Sequence, residues 1–243
     1  MVNNFIKHGT LIGIGVGPGD PDLMTVKAIK VMNAVDVIFA AGHKRSGVSI
    51  AAEIARPHLL PGKEVVQLNF PHTFDSVDGR EPHREAAGII AETLKKPASA
   101  AFLTLGDPMT FSTFTYVRDA VLEILPSATI EAVPGITSFA AAAAATGTPL
   151  AEGEETLAIM GAARETEGLL EVIDRADNIV IMKPYKMTER VCEILEERGL
   201  ADSTFFCTEC SRPTQKISRG LGGARNAGPE KYMSLFLVRK KKG

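Results

Sequence analysis

The stretch Leu11-Ile12-Gly13-Ile14-Gly15-Val16-Gly17-Pro18-Gly19-Asp20-Pro21 constrains this chain more than any other. Its apolar start, Leu11 to Val16, reads as a buried strand, and a helical pattern begins at about Leu23. Strand, glycine-rich turn, helix is how an α/β protein presents backbone N–H groups at the carboxyl edge of a sheet. Two later stretches end a strand in the same manner: Leu103-Thr104-Leu105-Gly106-Asp107-Pro108, and Ala132-Val133-Pro134-Gly135-Ile136-Thr137-Ser138. Three such strand ends predict one shared cleft. Any one of these loops taken alone is equally well read as a tight turn that holds no ligand, because glycine serves wherever a chain turns sharply.

The first loop is not a dinucleotide fingerprint. A G-x-G-x-x-G pattern begun at Gly13 ends on Pro18, and one begun at Gly15 ends on Asp20, so the glycine needed for close helix–sheet contact is missing. The downstream acid, Asp36, precedes its strand instead of ending it and is badly placed for a ribose. No Gly-Lys-Ser/Thr follows the loop, which removes the P-loop reading.

The rest of the first half alternates. Strands are expected at Val35 to Ala40, Glu64 to Phe70, Ser99 to Leu105 and Thr129 to Val133. Helices are expected from about Met24 to Ala34, before Pro57, from Pro82 to about Lys95, and from about Ser112 to Ile124, with Asp22 or Thr25 capping the first. Five strands separated by helices imply a mainly parallel sheet covered on both faces. The texture changes at Pro134-Gly135. The segment Ile136 to Thr146 holds the run Ala140 to Ala145, which suits either a strong helix former or a helix that another backbone approaches closely, a hinge between two domains. Beyond it, strands are expected at Thr156 to Met160, Asn178 to Met182 and Ser203 to Cys207, with helices at Glu167 to Arg175 and Met187 to Arg198. Then come two strand-like segments, Gln215 to Arg219 and Tyr232 to Arg239, joined by a glycine-rich connection without a helix. The expected architecture is therefore α/β: an N-terminal domain over residues 1–134 and a C-terminal domain over 135–243, whose mixed sheet has an antiparallel end.

Composition narrows the function. A net charge of −2 over 243 residues argues against a nucleic-acid binder, and Arg239 to Lys242 reads as a solvated tail. No apolar run reaches the length of a membrane span, and the N-terminus lacks a signal-peptide pattern, so a cytoplasmic location is expected. Three cysteines fit reduced thiols. Cys207-Thr208-Glu209-Cys210 is a lone C-x-x-C at a strand end, without the second pair that a metal site requires, so no metal is expected.

Taken together, the motifs resemble the tetrapyrrole methylases along nearly the whole chain. They are G-x-G-x-G-P-G-D-P from Gly13 to Pro21, Gly106-Asp107-Pro108, and Val133 to Ser138. Within that family, Leu103 to Thr113, Gly147 to Glu155 and Met182-Lys183-Pro184-Tyr185-Lys186 are similar to the C20-methyltransferases that act on precorrin-2 or cobalt-factor II. The resemblance implies a homodimer of two-domain chains, S-adenosylmethionine in a cleft between the domains, and methylation of a corrin precursor at C20. It assigns the cofactor to Val16, Pro18, Gly106, Asp107, Thr110, Thr137, Ser138 and Met182. Sister enzymes such as uroporphyrinogen III methyltransferase, and a nucleotide-binding sensor without chemistry, are the alternative readings.

The chemistry is compatible with such an arrangement. Methyl transfer from a sulfonium needs in-line positioning more than acid–base help. Asp107 can accept from an ammonium or a ribose hydroxyl, or can simply make the turn before Pro108. Met160 and Met182 suit an adenine slot, or the core. His43, His72 and Tyr185 are candidates for the base that removes the C20 proton. A substrate with many carboxylates needs cations, and Lys44, Arg45, Arg80, Arg84, Lys183, Lys186 and Arg212 are on hand. Arg45, Lys183 and Tyr185 are the leading substrate contacts.

Overall fold

A computed structural model describes residues 6–43, 49–70, 81–161, 167–227 and 232–240. The chain divides into two compact units, Met1–Thr137 and Ser138–Gly243. The first alternates β1 (Thr10–Gly15), α1 (Val26–Ala34), β2 (Val37–His43), α2 (Ile50–Ala55), β3 (Val65–Phe70), α3 (Glu81–Leu94), β4 (Ala100–Thr104), α4 (Thr113–Ile124) and β5 (Thr129–Val133). Its sheet has the order β3-β2-β4-β1-β5, and every pair is parallel.

Side-chain alternation sorts this sheet into two faces. Ile12, Ile14, Ile38, Ala101 and Leu103 pack with α1 and α2, while Leu11, Phe39, Ala100 and Phe102 pack with α3 and α4. Helices on both faces explain why β1 and β4 are buried along their whole length. Gly13 has a packing role: a Cβ there would lie 2.4 Å from the ring of Phe114, which is itself fully buried. The chain leaves β1 for helices on one face and β4 for helices on the other. These neighbouring strands therefore form the reversal point of the sheet, outside whose carboxyl ends α/β proteins bind ligands.

Local signals act as their chemistry dictates. Thr25 accepts the Ala28 N–H and starts α1, whereas Asp20 accepts from Asp22 and caps a short 3-10 turn at Pro21–Leu23. β2 begins two residues later than the apolar pattern suggests, because Val35 closes α1 and Asp36 is tied elsewhere. Asp36 Oδ2 accepts both the backbone N–H and the hydroxyl of Ser99, each at 2.7 Å, which latches the entry of β2 to that of β4. Those two bonds hold the Asp36 carboxyl below the usual carboxylate range.

The second unit comprises α5 (Ser138–Thr146), β6 (Leu157–Gly161), α6 (Glu167–Arg175), β7 (Asn178–Met182), α7 (Thr188–Glu197), β8 (Thr204–Thr208), β9 (Lys216–Arg219), α8 (Gly222–Ala227) and β10 (Ser234–Arg239). Its sheet runs β6-β7-β10-β8-β9; β6 and β7 are parallel, and the other neighbours are antiparallel. This is the mixed sheet with an antiparallel end that the sequence implies. Leu169, Ile173, Val191, Ile194, Leu195, Leu221 and Ala224 bring α6, α7 and α8 onto one core with Ile179, Ile181, Phe206 and Phe236.

α8 corrects the expectation of a helix-free connection. Glycine is a poor helix former, which hides the element in the sequence. Here glycine is needed for packing, since a Cβ on Gly223 would overlap the Ser218 side chain. The alanine run lies in α5, where Ala141 to Ala143 are buried and Ala144 and Ala145 are exposed; the helix runs against β10. Among the described residues, no helix is long and apolar enough to cross a membrane.

Candidate functional site

The three glycine-marked loops lock together through their backbones. Because β4, β1 and β5 are neighbours, their carboxyl ends are neighbours too. Gly17 and Gly106 exchange hydrogen bonds, with Gly106 N–H to Gly17 O at 2.7 Å and Gly17 N–H to Gly106 O at 3.2 Å; Val16 N–H donates to Thr104 O at 3.0 Å. Asp107 then joins the third loop, its Oδ2 accepting the Gly135 N–H at 3.0 Å. A Cβ on Gly15 would lie 2.5 Å from Gly106 O and 2.7 Å from Gly135 Cα. A Cβ on Gly135 would lie 2.1 Å from Gly106 O. Only glycine permits this approach at positions 15 and 135, where the facing atom is the Gly106 carbonyl oxygen.

Asp107 is occupied on both oxygens, since Oδ1 accepts the Met109 N–H at 2.9 Å and the Thr110 hydroxyl at 3.3 Å. Its turn-making role and its place among the three loops are thus one and the same. Val16 is wholly buried, so its side chain belongs to the core, and Pro18 is buried beside it. Gly106 holds φ at +69°, with no atom closer than 4.0 Å to where a Cβ would stand. Thr110 and Thr137 are half-buried on the second and third loops. Pro18, Asp107 and Thr137 therefore sit on adjoining strand ends.

The loop after β4 also carries a surface that sequence reasoning missed. Leu105, Met109 and Phe111 are 36%, 54% and 46% exposed, and Phe111 has a φ of 49°. Apolar side chains held out on a strand-end loop, one of them in the left-handed region, are unusual enough to suggest a contact surface. The available signal was three large apolar residues within a loop of otherwise polar and turn-forming type.

In the second unit, Ser138 opens α5 and its hydroxyl approaches Met182 Sδ at 3.9 Å, so two of the expected cofactor residues meet at the carboxyl end of β7. Met160, in β6, packs against the core of the unit. Lys183 follows Met182 with φ 51°, and its Nζ lies 5.5 Å from the centre of the Tyr232 ring. The turn after β8 was not anticipated: Glu209 and Ser211 have φ of 49° and 61°, and Cys210 lies between them. Lys183, Glu209 and Ser211 all follow the carboxyl ends of β7 and β8, on either side of the start of β10. The C-x-x-C was the visible mark of this turn. Cys207 and Cys210 are buried free thiols, and their mutual hydrogen bond, together with burial, pushes the Cys207 thiol up. Among the described residues, no group of three or more His, Cys, Asp or Glu could hold a metal ion.

Arg45, Lys44, His72 and Arg80 lie outside the described residues, as do the side chains of His43 and Tyr185. Arg84 lies on α3, not on a strand-end loop; Arg212 faces Glu209 at 3.8 Å, and Lys186 is exposed. The stretch Gly147 to Glu155 builds the opposite end of the second sheet, where it borders a cavity of about 560 Å³. There Glu155 accepts from Asn178 Nδ2 at 3.0 Å, and Arg239 bonds to Glu152 and approaches Glu155 at 3.6 Å. This cavity lies away from the carboxyl ends of β6 and β7.

The family model for tetrapyrrole (corrin/porphyrin) methylases matches residues 10–224. The cobalt-precorrin-2 C(20)-methyltransferase of Salmonella typhimurium is 30% identical over 233 residues, covering 96% of this chain and 97% of the relative. The probable cobalt-precorrin-2 C(20)-methyltransferase of Methanocaldococcus jannaschii is 36% identical over 193 residues, 79% of each chain. Among solved structures, a cobalt precorrin-4 methyltransferase superposes with a TM-score of 0.71 at 24% identity, covering 96% of this chain and 95% of that one. Uroporphyrin-III C-methyl transferase from Thermus thermophilus, complexed with S-adenosylhomocysteine, gives 0.64 at 20% identity over 95% of this chain and 97% of that one. These two structures establish the likeness of fold, and the family match runs through both units: the chain belongs to the tetrapyrrole (corrin/porphyrin) methylase family.

Proposed function

We propose that this chain transfers a methyl group from S-adenosylmethionine to C20 of precorrin-2 or its cobalt complex, in cobalamin biosynthesis. The observation that carries the reading is the backbone junction of Gly15, Gly106 and Gly135 at the reversal point of a parallel sheet. The identity of the acceptor rests on the two C20-methyltransferase relatives, which match most of their own length.

The residues suit the donor molecule. Its polar ends need hydrogen-bonding groups at close range, and loops stripped of side chains supply backbone groups without steric intrusion. Val16, Pro18, Gly106, Asp107, Thr110 and Thr137 are assigned to it, together with Ser138 and the thioether of Met182. When bound, S-adenosylmethionine supplies an activated methyl group. The chain's part is then to orient it and to exclude water, which is where positioning yields most of the acceleration. Leu105, Met109 and Phe111 suit the flat apolar face of a macrocycle, while Arg45, Lys183 and Tyr185 are assigned to its carboxylate rim. Three free cysteines favour a reducing cytoplasm, and the family resemblance favours a homodimer, which analytical ultracentrifugation would test.

The decisive experiment incubates the protein with S-adenosylmethionine and either precorrin-2 or its cobalt form, then locates the new methyl group by mass spectrometry and NMR. A methyl at C20 supports the reading. A methyl at another carbon assigns the chain to a sister activity. Tight binding of S-adenosylmethionine without turnover on either substrate overturns catalysis in favour of a sensor.

A further inference from the structure

The turn after β8 brings Cys210 against the first residue of α5. The Cys210 thiol lies 3.4 Å from the carbonyl oxygen of Ser138, in donating position. The Ser138 hydroxyl in turn points to Met182 Sδ at 3.9 Å. One short chain of contacts therefore runs from Cys210 through Ser138 to Met182. Resting on the cofactor assignment above, we propose that Cys210 is a positioning residue, holding Ser138 at the start of α5 so that Ser138 and Met182 present a fixed contact to S-adenosylmethionine.

The backbone around Cys210 supports this role. Glu209 and Ser211 both occupy the left-handed region, which is unfavourable for a residue with a side chain. Such a conformation persists only when its surroundings impose it. Here Glu209 N–H donates to Met233 O at 2.8 Å, Arg212 N–H to Glu209 O at 3.0 Å, and Ser211 N–H to Gln215 Oε1 at 2.6 Å. Cys207, near the end of β8, hydrogen-bonds the Cys210 thiol as well. The turn is thus fixed on both flanks of Cys210, and the thiol it aims meets α5 at the residue that touches Met182.

The test compares Cys210→Ala and Cys210→Ser by isothermal calorimetry with S-adenosylhomocysteine, and separately with the tetrapyrrole substrate. Cys210→Ala is expected to weaken S-adenosylhomocysteine about fivefold, as loss of one hydrogen bond would, and to leave tetrapyrrole affinity within about twofold. Cys210→Ser, which keeps a donor at the same place, is expected to restore most of the loss. A role in packing alone would not produce that split or that rescue. An infrared measurement keeps the idea testable if the alanine variant fails to fold: the S–H band that disappears in Cys210→Ser should lie at lower frequency than that of a free thiol. Wild-type affinity in Cys210→Ala, equal weakening in Cys210→Ser, or an unshifted S–H band overturns this assignment alone. Wild-type protein that binds no S-adenosylhomocysteine overturns the proposed function, and the positioning role with it.

Discussion

Replacing Gly135 by alanine puts the strand-tip junction to its most direct test. The new Cβ would stand 2.1 Å from Gly106 O and 2.8 Å from Gly15 Cα, and all of these obstacles are backbone atoms that no rotamer change can move aside. To reach an ordinary tight contact, Gly106 O must retreat by roughly 1 Å. That carbonyl accepts the Gly17 N–H, and the Gly135 N–H is itself bound to Asp107 Oδ2, so both bonds open or lengthen. A neutral hydrogen bond contributes about 1 kcal/mol, one to a carboxylate about 1.5–3 kcal/mol, and overpacking costs a further ~1–3 kcal/mol. Since these terms overlap, the expected destabilisation is about 2–4 kcal/mol, which lowers Tm by roughly 10 °C for a domain of this size. Thermal unfolding by circular dichroism reads the first effect, and calorimetry with S-adenosylhomocysteine the second, expected as a loss of at least about tenfold. Gly88→Ala is the control. It lies within α3, and a Cβ there meets nothing within 4 Å, so it should gain about 0.5–1 kcal/mol. If Gly135→Ala melts and binds like the wild type, the three loops do not touch as described and the argument for a shared site fails.

Other outcomes follow from single contacts. Asp107→Asn should cost about 1.5–3 kcal/mol, nearly as much as Asp107→Ala, because an amide offers one acceptor where two oxygens are in use; chemical denaturation that finds the asparagine variant neutral would count against the junction. Asp36 titrates below its ordinary value in the folded chain, so its contribution is present above pH ~4 and is lost as pH falls through the folded pKa. Asp36→Asn should therefore flatten the acid limb of a Tm-against-pH curve, and parallel curves for the two proteins would refute the latch. Phe111→Ala, at a side chain that is 46% exposed, should leave Tm within about 2 °C, yet weaken tetrapyrrole binding several-fold in a fluorescence titration. Unchanged affinity would remove the loop after β4 from the substrate surface.

Much of the architecture was written in the chain's local pattern. Alternating apolar runs and helical spacing placed the strands to within a residue or two, as at Thr129–Val133 and Asn178–Met182. Glycine and proline marked the three strand ends, because a backbone that must turn sharply or approach another closely leaves a compositional trace. The exceptions have local causes. β2 starts late because Asp36 bonds to Ser99, sixty-three positions away, and α8 stayed hidden because glycine is a poor helix former, although Gly223 is what leaves room for Ser218. The Ser99 partner of Asp36 is invisible to a window sliding along the sequence.

Strand order, by contrast, belongs to the folded chain. Nothing in the residues between Leu11 and Val133 says that β4 inserts between β2 and β1, yet that insertion is what makes the first, fourth and fifth strand ends neighbours. The same holds for Cys210, whose lone C-x-x-C spacing pointed to no metal site when read along the chain, and whose thiol meets the carbonyl of a residue seventy-two positions earlier. Local sequence determined which segments would be strands, helices and turns, because propensity and hydrophobic period act over a few residues. Which of those turns would meet was decided only by tertiary packing, since it depends on how whole strands pair and on which face each helix covers.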